Sequence, residues 1–300
     1  MRVLITGIGG FVGSRLARHL LDGGDQVSGT YINSLAAIDG ADLHEADLLD
    51  RAALEGAVEA ANPDVIVHLA GLAQIGEAWK GDRMPDYFWV NVVGTENILA
   101  AAAGRKVVIA SSADVYGLVP EAEQPIPESR PISPRSPYGL TKAAAERLAF
   151  AHGNAVVARS FNMIGPGQSS GFVLPDFAKQ LAGIARDADP VMRVGNLSAR
   201  RDFVHVDDGA AAYRLLAAKG EPGTAYNIAS GRAFSIDEIL RRLMDIAGVS
   251  ARVEVDPEKF RAVDLSLLQG DAGRLRALGW QPLRSLDDAL SELWRSLPEP

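Results

Sequence analysis

LITGIGGFVGSRLARHL, residues 4–20, sets Gly7, Gly10 and Gly13 between a short apolar run and a helical pattern, with Gly9 as an extra glycine. Glycines in that place allow a tight turn. They also let the backbone and the N-terminus of the next helix approach a pyrophosphate. A plain glycine turn is the alternative reading, and a lone glycine motif decides little. At the first strand-to-helix junction of an alternating chain the motif decides much more, and it points to dinucleotide binding.

The rest of the first half does alternate. Apolar runs at Val3–Thr6, Gln26–Thr30, Leu43–Ala46, Val65–Leu69, Lys106–Ala110 and Ala155–Arg159 read as strands. Helical patterns fall between them at 11–22, 51–61, 86–103 and 137–151. DVIVHLA, residues 64–70, is apolar on both faces, as a buried parallel strand must be. The expected fold is therefore α/β, a doubly wound parallel sheet with a smaller C-terminal α/β lobe. The pattern changes after Arg159, where residues 161–200 are rich in Gly, Pro and Ser with one helix near 175–186. SIDEILRRLMDIAG reads as a helix with a capping box, Ser235 at the N-cap, Glu238 three residues on and Gly248 at its end. We expect a dinucleotide-binding domain over 1–161 and a substrate lobe over 162–300, with 201–229 returning to the first domain.

Bulk properties exclude several functions. The 300-residue chain is 47% hydrophobic, enough for one or two packed domains. Its net charge is −8 and it has no basic run, so it carries no nucleic-acid footprint. It has no cysteine, which rules out disulfides and cysteine-bound zinc, and its five histidines have no metal spacing. A strand begins at once in MRVLITG and no apolar run reaches membrane length. A soluble, cytoplasmic protein with no membrane partner is the expectation. The four tryptophans are scattered and read as packing residues.

Two local features bear on chemistry. An NAD-binding chain usually carries an acid about 20 residues past the glycines, at the end of the second strand. Here that end reads VSGTYINS, where Thr30, Asn33 and Ser34 are small and polar. No carboxylate repels a 2′-phosphate and no arginine clasps one, so NADPH is expected, with NADH possible. Asp47, after the third strand, reads equally as a contact to the adenine edge or as an N-cap.

The second feature is RSPYGLTKAAAE, residues 135–146, which places Tyr138 and Lys142 one turn apart just inside a helix begun by Ser136 and Pro137. Lowering a phenol from about 10 to about 7 takes roughly 4 kcal/mol. A lysine in a closed site supplies more of that than one in water. The alternative is a core tyrosine beside a Lys142–Glu146 pair.

Gly7, Gly10 and Gly13, then HLAG at 68–71, Asn91 in NVVGT, SSADVYG and Tyr138-x-x-x-Lys142 together resemble the extended short-chain dehydrogenase/reductase family, whose fold is the Rossmann sheet. The resemblance covers the whole cofactor half. It implies a catalytic set of Ser112, Tyr138 and Lys142, with Ser111 as the rival for the serine. Tyr138 would transfer the proton, Lys142 would hold the nicotinamide ribose, and Ser112 would hydrogen-bond the substrate oxygen. It also implies cofactor contacts from Gly7, Gly10, Phe11, Val12 and Gly13, from Thr30, Asp47 and Leu48, and from Leu69, Ala70, Gly71 and Asn91.

ARSFNMIGPGQ, VGNLSARRDFVHVDD and RAVDLSLLQGDAGRLRALGW resemble the branch acting on GDP-hexoses. By that resemblance Asn162 hydrogen-bonds the sugar nucleotide, Arg201 and Arg261 clamp its diphosphate, and Asp264 takes the place of a ribose-binding glutamate. A surface pairing of Arg201 with Asp202 or Asp207 is the alternative. The activity implied is NADPH-dependent reduction of a GDP-4-keto-6-deoxyhexose by a homodimer, giving GDP-6-deoxy-D-mannose (GDP-rhamnose). A GDP-mannose 4,6-dehydratase, an NAD-dependent 4-epimerase and an idle dinucleotide sensor are the rivals.

Overall fold

The computed structural model describes residues 1–33, 37–186, 189–260 and 265–297. Its first half is built from β1 (Arg2–Thr6), α1 (Phe11–Asp22), β2 (Gln26–Tyr31), β3 (Ala41–Glu45), α2 (Arg51–Ala61) and β4 (Val65–His68). Two short helices follow, α3 (Ile75–Ala78) and α4 (Met84–Phe88), then a π-turn over Trp89–Val93 that runs into α5 (Gly94–Ala101). β5 (Lys106–Ser112), α6 (Pro137–His152) and β6 (Ala155–Ser160) complete this half. The single helix expected over 86–103 is thus two α segments joined by a π-turn.

The second half contains β7 (Asn162–Ile164), α7 (Val173–Ile184), β8 (Val191–Val194), β9 (Arg200–His205), α8 (Val206–Lys219) and β10 (Ala225–Ile228). β11 (Ala233–Ser235), α9 (Ile236–Ala247), β12 (Arg252–Val255), β13 (Leu267–Leu268), α10 (Gly273–Ala277) and α11 (Leu286–Arg295) follow.

A seven-stranded sheet in the order β10-β6-β5-β4-β1-β2-β3 forms the large layer, and its paired strands are parallel. Fully buried Leu4, Ile5, Ile66, Val67, Val107 and Val108 explain why these strands read as continuous apolar runs. Order reverses beside β1, which opens the crevice where ligands bind in such sheets.

A second, four-stranded sheet joins β11, β9 and β13, with β7 also on β9. Residues 201–205 therefore belong to this small sheet, and the return to the large layer begins at Val206. From there α8 packs on α1 and β10 adds the edge strand next to β6. A separate apolar cluster that includes Leu174, Phe177, Ile239, Leu243 and Leu290 holds the second half together. α9 starts at Ser235, whose side chain accepts from Glu238 N, but the Glu238 carboxylate pairs forward with Arg242 rather than completing a capping box. No helix among the described residues is long and apolar enough to cross a membrane.

Candidate active site

The glycine turn has the shape of an anion cradle. Gly7 has φ +70°, and a Cβ there would lie 2.9 Å from the Ala70 backbone. A Cβ at Gly13 would overlap the Gly7 carbonyl, so only glycine lets α1 start this close to β1. α1 has no side-chain cap and no acid in its first turn, leaving its N-terminal amides and positive dipole end for a phosphate. Gly7, Gly10, Phe11, Val12 and Gly13 line one end of a cavity of about 620 Å³, and Leu69 and Gly71 line it from the β4 side. These residues fit a dinucleotide pyrophosphate.

Other expected cofactor contacts are placed differently. Thr30 is 2% exposed, and its carbonyl accepts from Gly7 N at 3.2 Å and Ile8 N at 3.4 Å, so it supports the turn from beneath. The strand end that faces solvent is Ile32 and Asn33, with Tyr31 half-buried, while Ser34 lies outside the described residues. Asp47 is exposed and accepts from Leu49 N at 2.9 Å. The N-cap of α2 is Asp50, not Asp47. Leu48 is buried against Gly94, and Ala70 donates to the Thr6 hydroxyl at 3.3 Å.

Ser112, Tyr138 and Lys142 all line the same cavity. Successive strand residues face opposite ways, which separates the two candidate serines. Ser111 donates to the buried Glu146 carboxylate at 2.5 Å, while the Ser112 side chain hydrogen-bonds Tyr138. Ser112 also accepts from Asp114 N at 3.1 Å, capping the 3₁₀ turn Ala113–Tyr116.

α6 starts as expected, with Ser136 at the N-cap accepting from Gly139 N at 2.8 Å. Burial pushes the Tyr138 phenol well above its ordinary value, against the pull of Ser112. Burial pulls the Lys142 ammonium down to about 8, opposed by the Glu146 charge. Lys142 Nζ donates to the Ala110 carbonyl at 3.0 Å and lies 6.0 Å from the Tyr138 ring centroid. Glu146 is paired with Arg159 at 2.8 Å. The arrangement can hold a neutral phenol beside an ammonium in the cavity that the glycine turn also lines.

Asn91 sits in the π-turn and is 1% exposed. Its amide clamps Leu72, accepting from Leu72 N at 2.8 Å and donating to Leu72 O at 3.0 Å. It also donates to Thr141 at 3.1 Å. π-turns of this kind cluster at functional sites.

The second half adds Asn162, Gln168, Phe172, Arg201 and Phe203 to the cavity lining, and the α3–α4 region adds Glu77, Trp79 and Arg83. Asn162 donates to the Asp202 carbonyl at 2.9 Å. Arg201, 8% exposed, donates to the Arg200 and Leu265 carbonyls. The two acids of the alternative reading bond to other groups. Asp202 accepts from Ser230, Gly231 and Gly270, and Asp207 faces Arg284 and Arg15. Arg261 and Asp264 lie outside the described residues.

The family model described as GDP-mannose 4,6 dehydratase matches residues 4–293. The chain belongs to that family of extended short-chain dehydrogenases/reductases. It is 34% identical to the GDP-6-deoxy-D-mannose reductase of Pseudomonas aeruginosa, over 98% of this chain and 97% of that one. The structure of RMD from Pseudomonas aeruginosa complexed with NADPH superposes with a TM-score of 0.84 at 32% identity, covering 99% of both chains. A UDP-glucose 4-epimerase of Thermus thermophilus in complex with NAD superposes with a TM-score of 0.88 at 28% identity, covering 99% of this chain and 98% of that one. The protein is an NAD(P)-dependent enzyme of this family acting on a nucleotide sugar.

The cavity is also lined by residues that the sequence motifs do not mark. Trp79, read as packing, is 41% exposed and lines the cavity, whereas Trp280 is buried with its indole N–H on the Asp208 carbonyl. Gln168 lines the cavity too and donates to the Met163 carbonyl at 3.0 Å. His205, read as structural, caps α8 by accepting from Asp207 N at 3.1 Å and lies 3.2 Å from Glu292. His205, Asp207 and Glu292 come close enough to hold an ion, but Arg284 pairs with both acids.

Proposed function

We propose that the enzyme reduces the 4-keto group of a GDP-4-keto-6-deoxyhexose with NADPH, giving GDP-6-deoxy-D-mannose (GDP-rhamnose). The observation that carries this reading is the state of Asp114. Loss of water across C5 and C6 needs a second acid–base group beside the sugar, because the tyrosine is occupied at O4. By resemblance, sugar-nucleotide dehydratases carry a glutamate for that work two residues before the tyrosine of SSADVYG; here Asp114 stands there, one methylene shorter, a loss of about 1.3 Å of reach against hydrogen bonds of about 2.6–3.2 Å. Its carboxylate receives the hydroxyl of Ser136, the N-cap of the helix that bears Tyr138. A reductase needs no such acid. The full-length likeness to a reductase supports the same reading.

Ser112 and Tyr138 would hold the C4 carbonyl oxygen, and the phenol, kept neutral by burial, would give its proton to the developing alkoxide. When bound, the reduced nicotinamide supplies the hydride. Lys142 would hold the ribose and stabilise the phenolate left behind. Asn162 and Arg201, with Arg261 and Asp264 beyond the described residues, would hold the GDP moiety, a task suited to guanidinium geometry. The large sheet would thus serve the cofactor and the second half the substrate. Trp89 is 55% exposed on the π-turn and Leu140 51% exposed on α6, which supports a homodimer formed through these helices. A solution mass near twice 31.8 kDa tests that assembly, and a monomer at micromolar concentration counts against it.

The deciding experiment incubates the enzyme with NADPH and GDP-4-keto-6-deoxymannose and identifies the sugar by NMR. Stoichiometric NADPH loss with a 6-deoxymannose product is expected. Steady formation of the keto sugar from GDP-mannose and NADP⁺, abolished by Asp114→Asn, would make the enzyme a dehydratase instead. Interconversion of C4 epimers without net NADPH loss would make it an epimerase.

A further inference from the structure

We infer that His68, buried under the cofactor cradle, is a positioning residue whose one tautomer directs a hydrogen-bond chain from β1 to the backbone of Tyr138. The direction follows from proton counting. The Thr95 hydroxyl donates to the Asn91 carbonyl at 2.7 Å. Having given its proton there, Thr95 can only accept from His68 Nε2, 3.1 Å away. His68 therefore carries its proton on Nε2, and Nδ1 is an acceptor. Thr6 donates to that Nδ1 at 2.7 Å and itself accepts from Ala70 N at 3.3 Å.

The chain continues past the Asn91 carbonyl through the Asn91 side chain. That amide donates to Thr141 at 3.1 Å, and the Thr141 hydroxyl donates to the Tyr138 carbonyl at 2.8 Å. The same amide holds both backbone groups of Leu72, at the cavity wall beside Gly71. One run of contacts thus joins β1, β4, α5, the π-turn, the 71–72 loop and the first turn of α6. Thr6, His68, Asn91, Thr95 and Thr141 are each at most 4% exposed, so water cannot replace a lost partner. Burial, with Lys142 nearby, pulls the imidazole down to about 3, which keeps it neutral.

The other tautomer would break the chain. With the proton on Nδ1, the Thr95 hydroxyl must turn to His68 and release the Asn91 carbonyl inside the π-turn. The Asn91 amide would then lose the backbone that aims it at Leu72 and Thr141. His68 does not line the cavity and its hydrogen bonds go to Thr6 and Thr95, so its effect passes through Asn91 and the start of α6.

The turnover arm of the test rests on the reductase reading, and the spectroscopic arm does not. In ¹⁵N spectra of the histidine-labelled enzyme, the signal lost in His68→Gln should show a neutral Nε2–H tautomer from about pH 5 to 9. His68→Gln can still donate to Thr95, whereas His68→Asn can only accept from Thr6. Gln should keep kcat within about threefold and Asn should lose at least about tenfold, with similar KM values. Thr95→Ser and Thr95→Val form a second pair, should either histidine variant fail to fold, and Ser should retain kcat where Val loses it. A signal from Nδ1–H, equal kcat for the Gln and Asn variants, or equal kcat for the Ser and Val variants would overturn the inference. If the unaltered enzyme reduces no 4-keto sugar, the reductase reading falls and the tautomer alone decides this one.

Discussion

Replacing Lys142 with methionine should make the empty protein more stable while disabling it. The ammonium is buried, and its folded-state value is pulled from 10.5 to about 8. The folded chain therefore binds fewer protons than the unfolded chain between those two values. The penalty is full below about pH 8 and is relieved as pH rises toward 10.5. At about 1.36 kcal/mol per pH unit, it is about 3 kcal/mol at pH 7 and falls to about 1.4 kcal/mol at pH 9.5. Methionine removes the charge and keeps most of the volume. It also loses the bond to the Ala110 carbonyl, worth about 1 kcal/mol. The net gain is about 2 kcal/mol at pH 7 and close to zero at pH 9.5. Denaturant unfolding of the cofactor-free wild type and Lys142→Met at both pH values measures it. A variant less stable than wild type at pH 7, or a gain that does not shrink at pH 9.5, would refute the reasoning. On the proposed function, such a charge is kept against stability because it holds the cofactor ribose and supports Tyr138.

Three further outcomes follow from the same geometry. Tyr138→Phe should lower turnover at least about 100-fold with cofactor affinity nearly unchanged, measured by steady-state rates and by titration with NADPH; near-normal turnover would return Tyr138 to a packing role. In the reductive direction kcat/KM should fall as pH rises through about 8, where Lys142 of the free enzyme loses its proton, and a flat profile to pH 10 would separate the two. Tyr31→Asp should shift preference from NADPH toward NADH, and a strong NADH preference in the unaltered enzyme would mean that the strand end had been misread; Thr30 is the poorer position for the acid because it is 2% exposed.

Local chemistry made the cofactor half legible. Strands buried on both faces leave unbroken apolar runs, and Ser136–Pro137 announced the start of α6 in its own residues. The π-turn was not legible, because Trp89–Val93 has ordinary helical composition and departs from α geometry where Asn91 meets Leu72, a contact made across the fold. The Ser111–Ser112 ambiguity had the same origin. Period-two alternation puts the two on opposite faces, but only the packed helix carrying Glu146 says which face is which. Asp47 read equally as an adenine contact or an N-cap, and the register of α2 puts the cap three residues on, at Asp50. Residues 201–229 read as one returning segment, but β9 pairs in the small sheet. Its pairing with β7, β11 and β13 is non-local and leaves no periodic mark.

The short carboxylate at Asp114 ties these threads to the chemistry. Gly139 lies on the first turn of α6, and a Cβ there would stand 2.7 Å from Asp114 Oδ2. The helix start is thus shaped around that acid, which accepts from Ser136 while Ser136 in turn accepts from Gly139 N. That carboxylate is bonded into the cap of the helix that carries Tyr138. Its charge also raises the Tyr138 pKa, adding to the effect of burial. Both effects favour the protonated phenol. A protonated phenol is what carbonyl reduction requires at the outset, whereas dehydration and epimerisation begin by oxidising C4 and need the phenolate. On the reductase reading proposed above, the acid at the place of a lyase's glutamate supports the proton donor instead.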